Sequence, residues 1–101
     1  ERTFGTPAYL TDFPGLTRES AEWIGRKGIV SFGVEAVSPG RPGENNFEVH
    51  RVCAEMGFIH MESLMNLEAL VGKGRFRFAG FPLKIRGGSG SPIRAVAILE
   101  E

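Results

Sequence analysis

Apolar positions in this chain fall in short runs separated by glycine and proline, a pattern that predicts several short helices and strands. Residues 1–16 show no period and are interrupted by proline and glycine, so we expect an irregular arm there. A helix follows, with Thr17 as its N-cap and Gly28 just beyond its end. The β-branched and aromatic run 29–34 predicts the first strand.

The middle of the chain predicts a second helix. Residues 36–46 are rich in proline, glycine and asparagine, which is typical of a loop. The helix is expected over 47–56, with Asn46 as its N-cap and Gly57 as its stop. A short strand over 58–61 follows it directly.

The last third predicts a short helix and two strands. Asn66 is expected to cap a helix of one to two turns. Residues 75–86 predict a long strand, in which Pro82 indicates a bulge or an edge position. Residues 92–99 carry apolar side chains on both faces, so we expect a covered interior strand. The glycine-rich segment 87–91 fits a hairpin turn better than a phosphate-binding loop, because strands and not a helix flank it.

Strands that alternate with helices predict an α/β fold with partly parallel strands. The closing hairpin would complete a mixed sheet with two main helices. The length of 101 residues fits a single domain over 1–101.

Composition narrows the classes of function. Twelve Lys and Arg residues balance twelve Asp and Glu residues. Nucleic-acid-binding proteins usually carry a basic excess, so no nucleic-acid partner is expected. No apolar run approaches the ~18 residues of a membrane span, so no membrane partner is expected. The formal net charge of zero makes self-association easier. Cys53 is the only cysteine, which excludes an internal disulfide and favours a reducing compartment, the cytoplasm.

The candidate chemistry lies on the second helix and just after the strand that follows it. His50 is on the helix, and Glu62 comes directly after the strand. A helix followed by a returning strand can bring two such side chains to one end of a sheet. Because imidazole and carboxylate groups bind Zn²⁺ and Mn²⁺, we name His50 and Glu62 as candidate metal ligands.

Two neighbouring residues leave alternatives open. His60 shares the face of Glu62 if the strand extends that far, and otherwise it faces a groove or solvent. Cys53 lies one helical turn from His50 and is able to bind a metal, but it also belongs to an apolar stripe typical of a core. A single histidine or glutamate is more often an ordinary core or surface residue than a ligand.

Four segments, in order, cover nearly the whole chain from residue 4 to residue 99: FGTPAYLTDFPGLTRESAEWI, IVSFGVEAVS, FEVHRVCAEMGFIHMESLMNLEAL and FPLKIRGGSGSPIRAVAIL. Together they resemble the cyclase family of metal-dependent hydrolases, which includes kynurenine formamidase and isatin hydrolase. In the second segment, Glu35 and Ser38 match an acidic residue and a serine of the family. In the third, His50 and Glu62 match residues of the family's metal site.

The resemblance implies a swivelling β/β/α fold and a homo-oligomeric enzyme that uses Zn²⁺ or Mn²⁺. It also implies the reaction, in which water activated by the metal attacks the carbonyl of an amide in a small molecule. The substrates would be N-formyl aromatic amines, cyclic amides or similar compounds.

The chain also departs from the family. The principal metal motif, H-G-T-H-x-D-x-P-x-H, is absent, and the only histidines are His50 and His60. The family usually has an apolar residue in place of His60 and an asparagine in place of Ser63. We therefore expect the C-terminal part of such an enzyme, which binds its metal together with an N-terminal half and supplies no catalytic side chain itself. The alternative is a non-catalytic oligomerisation or binding module that retains the scaffold.

Overall fold

The computed structural model describes residues 3–43 and 45–99, which form three α-helices, one 3₁₀ helix and four strands. The helices are α1 (Ala8–Thr11), α2 (Arg18–Arg26), α3 (Asn46–Met56) and the 3₁₀ helix Leu67–Leu70. The strands are β1 (Ser31–Gly33), β2 (Ile59–Met61), β3 (Arg77–Ala79) and β4 (Val96–Ile98). The predicted α/β class is confirmed. The chain divides into two compact units, one ending at Asn66 and the other beginning at Leu67.

Helix α2 begins and ends where the sequence predicts. The Thr17 side chain accepts a hydrogen bond from the Ser20 backbone N–H at 3.2 Å, and the Ser20 hydroxyl oxygen accepts one from the Thr17 N–H at 2.8 Å. These two bonds form a capping box, which satisfies backbone donors that have no partner inside the helix. At the other end Gly28 adopts a φ of +72°, a conformation that glycine adopts without strain.

Helix α3 begins one residue earlier than predicted. Asn45 is its N-cap, so the prediction that Asn46 caps this helix is wrong. The Asn46 side chain points elsewhere and accepts hydrogen bonds from the Ser38 hydroxyl and the Gly40 backbone N–H. Gly57 stops the helix as predicted, with a φ of +74°.

Apolar residues from α2, from α3 and from the position directly before β2 form the core of the first unit. Its buried members are Ala21, Val49, Val52, Cys53 and Phe58. Three of these five lie on one face of α3, which follows the predicted apolar stripe, although Met56 at the end of that stripe is partly exposed. Helix α3 is therefore fixed against α2 by its apolar face, and this leaves its other face for polar contacts.

Strands β1 and β2 form a parallel pair in which Phe32 lies opposite His60 and Gly33 opposite Met61. The end of the Leu64 side chain packs against Gly33, where a Cβ atom would force that side chain to shift. Parallel pairing brings the ends of both strands to the same edge. The segments that leave this edge carry the polar residues of the candidate site.

The second unit contains the antiparallel pair of β3 and β4, with Phe78 opposite Ala97. The antiparallel pairing is confirmed, but both strands are only three residues long, so the predicted strands over 75–86 and 92–99 are wrong in extent. Pro82 and Pro92 lack the backbone N–H that a longer ladder would need.

The predicted covered position of the last strand is also wrong. Among the described residues β4 pairs only with β3, and Val96 and Ile98 are 43% and 44% exposed. The two pairs of strands are separate sheets, so the single mixed sheet expected from the sequence is replaced by two small ones.

The predicted irregular arm over 1–16 contains one helical turn, α1, within its described part. The end of the arm contacts the loop before α3, where the Leu16 N–H donates a hydrogen bond to the Pro39 carbonyl at 2.8 Å. The Asn45 side chain donates to the Leu16 carbonyl at 3.0 Å and so ties the same loop to the arm. Among the described residues, no helix has the length and apolar character that crossing a bilayer requires.

Candidate metal centre

Three side chains with metal-binding groups converge at one edge of the parallel pair. They are His50 on α3, His60 on β2 and Glu62 just after β2, and one ligating atom from each lies within 4.8 Å of the others. His50 Nε2 is 3.8 Å from Glu62 Oε1. The two ligands named from the sequence therefore lie together, and their role as metal ligands stays a prediction.

Backbone hydrogen bonds place Glu62 beside the loop that follows β1. The Val34 N–H donates to the Met61 carbonyl at 2.9 Å, and the Ser63 N–H donates to the Ala36 carbonyl at 2.8 Å. The two chain segments thus stay paired past the ends of their strands. This pairing brings Ser38, which lies farther along the same loop, next to Glu62.

Ser38 lies within hydrogen-bond distance of two members of the cluster, and the sequence indicated it only through its match to a family serine. Its Oγ lies 2.7 Å from Asn46 Oδ1, 3.1 Å from His50 Nε2 and 3.4 Å from Glu62 Oε1. A hydroxyl group has one hydrogen, and the shortest contact indicates that Asn46 receives it. The Ser38 oxygen then keeps lone pairs that can accept a hydrogen bond from His50 Nε2 when no metal occupies that nitrogen.

Asn46 holds Ser38 in place. Its Oδ1 accepts from the Ser38 hydroxyl and also from the Gly40 N–H at 3.3 Å. A Cβ atom on Gly40 would lie 2.8 Å from the Asn46 Cα, so this approach requires glycine. The sequence predicted Asn46 only as a helix N-cap. Its contact with Ser38 joins a loop to the first turn of a helix, and such a contact leaves no pattern in the local sequence.

His60 belongs to the cluster and does not face a groove or solvent. Its Nε2 lies 3.2 Å from Glu62 Oε1, and its side chain is 17% exposed. The ring packs edge-on against His50, with ring centroids 4.7 Å apart, and it is tilted against Phe32 at 5.8 Å. Nδ1 of His60 is buried and has no hydrogen-bond partner among the described residues.

The environment favours the neutral form of His60. Burial of the ring, and then the nearby His50, lower the pKa of His60, and the carboxylate of Glu62 opposes this shift. A neutral imidazole has a bare nitrogen that can bind a cation. His50 and Glu62 are more open, with side chains 38% and 36% exposed, so the cluster is accessible to solvent from their side.

Cys53 is not part of the cluster. Its side chain is in the core, and burial raises the pKa of its thiol, which disfavours the thiolate that binds metals. The interpretation of Cys53 as a core residue is therefore confirmed.

Two imidazoles and a carboxylate are a donor set that divalent transition metals commonly bind in proteins. The residues present thus fit a cation such as Zn²⁺, and the structure does not show which metal they would hold.

Comparison with known proteins adds one relative. The chain is 37% identical over 90 residues to the isatin hydrolase of Roseibium aggregatum, and the match covers 85% of this chain and 34% of that protein. The chain spans about a third of the length of this curated relative. No protein-family profile matches the chain, and no solved structure matches it. The similarity supports a relationship to the cyclase family, whereas the swivelling β/β/α fold stays a prediction.

Proposed function

We propose that this chain is the C-terminal part of a metal-dependent hydrolase that cleaves amide bonds in small molecules. His50 and Glu62 contribute to its divalent metal site, with Zn²⁺ or Mn²⁺ as the cation. The observation that carries the proposal is the 3.8 Å approach of these two side chains, which lie twelve positions apart in a chain similar to isatin hydrolase.

A divalent cation held by His50 and Glu62 would lower the pKa of its bound water and polarise the carbonyl of the substrate. The residues of this chain orient the donors. Ser38 lies 3.1 Å from His50 Nε2 and is itself held by Asn46, so its hydroxyl group lines the position at which that nitrogen would bind the metal. Glu62 lies within 3.2 Å of His60 and is therefore held from a second side.

The remaining parts of the active site are proposed to come from an N-terminal half of the enzyme. A catalytic zinc site commonly uses three protein ligands and an open position, and proton transfer needs a further side chain. In the first unit, Val30, Phe47 and Ile59 are large apolar residues that are strongly exposed. Such surfaces favour association, either with the N-terminal half or with other copies in a cytoplasmic homo-oligomer.

The test uses the complete protein that contains this chain. Hydrolysis of isatin and of an N-formyl aromatic amine is followed by absorbance, and bound metal is measured by mass spectrometry. We expect His50→Ala and Glu62→Gln each to lower kcat/KM by at least about 100-fold and to lower the metal content, because each removes a ligand. Glu55→Gln, on the exposed side of α3, is the matched control and should change neither quantity.

Two results would contradict the proposal. Full metal content in both ligand variants, with their folding verified by circular dichroism, would show that the ligands are wrongly assigned. A folded wild-type protein that hydrolyses no amide would instead favour the non-catalytic oligomerisation or binding module.

A further inference from the structure

We infer that His60 is a third protein ligand, so that this chain alone carries a His–His–Glu site selective for Zn²⁺-like cations. The inference rests on the proposed function and deepens it, since it adds a third ligand and predicts which divalent cations bind most tightly. It concerns a residue at which this chain departs from the family it resembles.

The distances fit one cation. Four-coordinate zinc with bonds of about 2.1 Å places neighbouring ligand atoms about 3.4 Å apart. The His60 and Glu62 ligand atoms are 3.2 Å apart, and those of His50 and Glu62 are 3.8 Å apart. All three residues offer a ligand atom within 4.8 Å of the others, so small side-chain rotations complete the arrangement.

The ring of His60 is held in place before any cation binds. The parallel register fixes His60 opposite Phe32, and Glu62, just past the end of β2, lies on the same side with its Oε1 3.2 Å from His60 Nε2. Contacts with the rings of Phe32 and His50 limit its rotation. A donor that is already oriented loses less conformational freedom when it binds a metal.

Hydrogen bonding within the described part of the fold uses only one nitrogen of the His60 ring, the Nε2 atom that lies 3.2 Å from Glu62 Oε1. Nδ1 of His60 is buried with no partner among the described residues, and a buried polar atom without a partner is unfavourable. An apolar side chain would fill the same space against Phe32 without that disadvantage. The imidazole is therefore explained by its other nitrogen, which faces the Glu62 carboxylate.

A second imidazole changes which metal is preferred. Nitrogen donors favour Zn²⁺ and Co²⁺, whereas Mg²⁺ and Ca²⁺ prefer oxygen donors, and the general affinity order places Mn²⁺ below Zn²⁺. We therefore expect this chain to bind Zn²⁺ and Co²⁺ more tightly than Mn²⁺, and to bind Mg²⁺ weakly.

The experiment is a calorimetric titration of the full chain with zinc chloride, together with the absorption spectrum of its Co²⁺ complex. We expect saturable binding of one Zn²⁺ per chain. The variants His60→Leu and His60→Gln should each weaken Zn²⁺ binding by at least about 10-fold and alter the Co²⁺ bands, because both remove a nitrogen ligand. Cys53→Ala, which removes a donor outside the cluster, is the control and should bind as the wild type does.

The glutamine variant separates ligation from positioning. Its side-chain amide can still donate a hydrogen bond to Glu62, so wild-type Zn²⁺ affinity in a folded His60→Gln variant would overturn the inference and make His60 a positioning residue. Failure of the wild-type chain to bind Zn²⁺ would overturn it as well. Neither result bears on the proposed function, which is judged by the loss of hydrolysis in the His50 and Glu62 variants of the complete protein.

Discussion

Ser63, directly after Glu62, adopts a φ of +54°, in the left-handed region that most residues other than glycine avoid. Its N–H donates to the Ala36 carbonyl at 2.8 Å, and this bond holds the turn at the metal centre. The family that the chain resembles usually has asparagine at this position, and asparagine adopts the left-handed region more readily than serine does. The orientation of Glu62 therefore depends on a backbone conformation that its neighbour does not favour.

We predict that Ser63→Asn stabilises the protein by about 0.5–1 kcal/mol, because it relieves this backbone strain. The free energy of unfolding would be measured by urea denaturation. Ser89→Asn is the control, since Ser89 is exposed and is not among the described residues with a positive φ. A destabilised Ser63→Asn with an unchanged control would show that the serine side chain itself is needed.

At the scale of elements, the capping box of α2 is the clearest local signal in the chain. Thr17 and Ser20 exchange hydrogen bonds at the first turn, and the guanidinium of Arg18 pairs with Glu22 at 2.8 Å one turn later. Helix α2 packs against α3, which carries His50, so the end of α2 supports the helix of the metal centre.

Replacing the cap tests this support. Thr17→Ala should lower the free energy of unfolding by about 1 kcal/mol, because the N–H of Ser20 loses its partner. Thr11→Ala, at the exposed end of the single-turn α1, should change it by less than about 0.5 kcal/mol. Equal effects of the two substitutions in thermal or urea unfolding would contradict a specific role for the cap.

At the scale of the whole molecule, every residue of the metal centre belongs to the unit that ends at Asn66. Among its described residues the second unit contains the short 3₁₀ helix and one pair of three-residue strands, and the segment 71–76 between them is exposed and irregular. Exposed irregular segments open to proteases more readily than packed helices do.

Limited trypsin digestion should therefore cut first after Lys73 and Arg75 and leave a fragment that contains α2, α3 and the complete His–His–Glu cluster. Mass spectrometry of early time points identifies the cuts. First cleavage after Arg51, in the middle of α3, would contradict the expectation that the first unit resists proteolysis better than the segment 71–76 does.

What the sequence determined by itself was local or periodic. Thr17, Gly28 and Gly57 mark helix ends because capping depends on a few neighbouring residues, and the α3 stripe of Val49, Val52 and Cys53 follows from helical spacing. The proximity of His50 and Glu62 was also predictable, because one helix and one returning strand separate them. The lengths of the strands were not predictable, because the partners of each strand are distant in sequence and prolines interrupt the apolar pattern.

Only the tertiary structure decided which side chains complete the candidate metal centre. His60 joins it because the parallel register sets its ring between Phe32 and His50, and Ser38 joins it because Asn46 reaches back from α3 to a loop. The two-residue spacing of His60 and Glu62 indicated a shared face only if the strand extended that far, and the contact between Ser38 and Asn46 has no signature in spacing. Both arise from long-range pairing of backbone segments, which orients side chains that a one-dimensional pattern leaves unrelated.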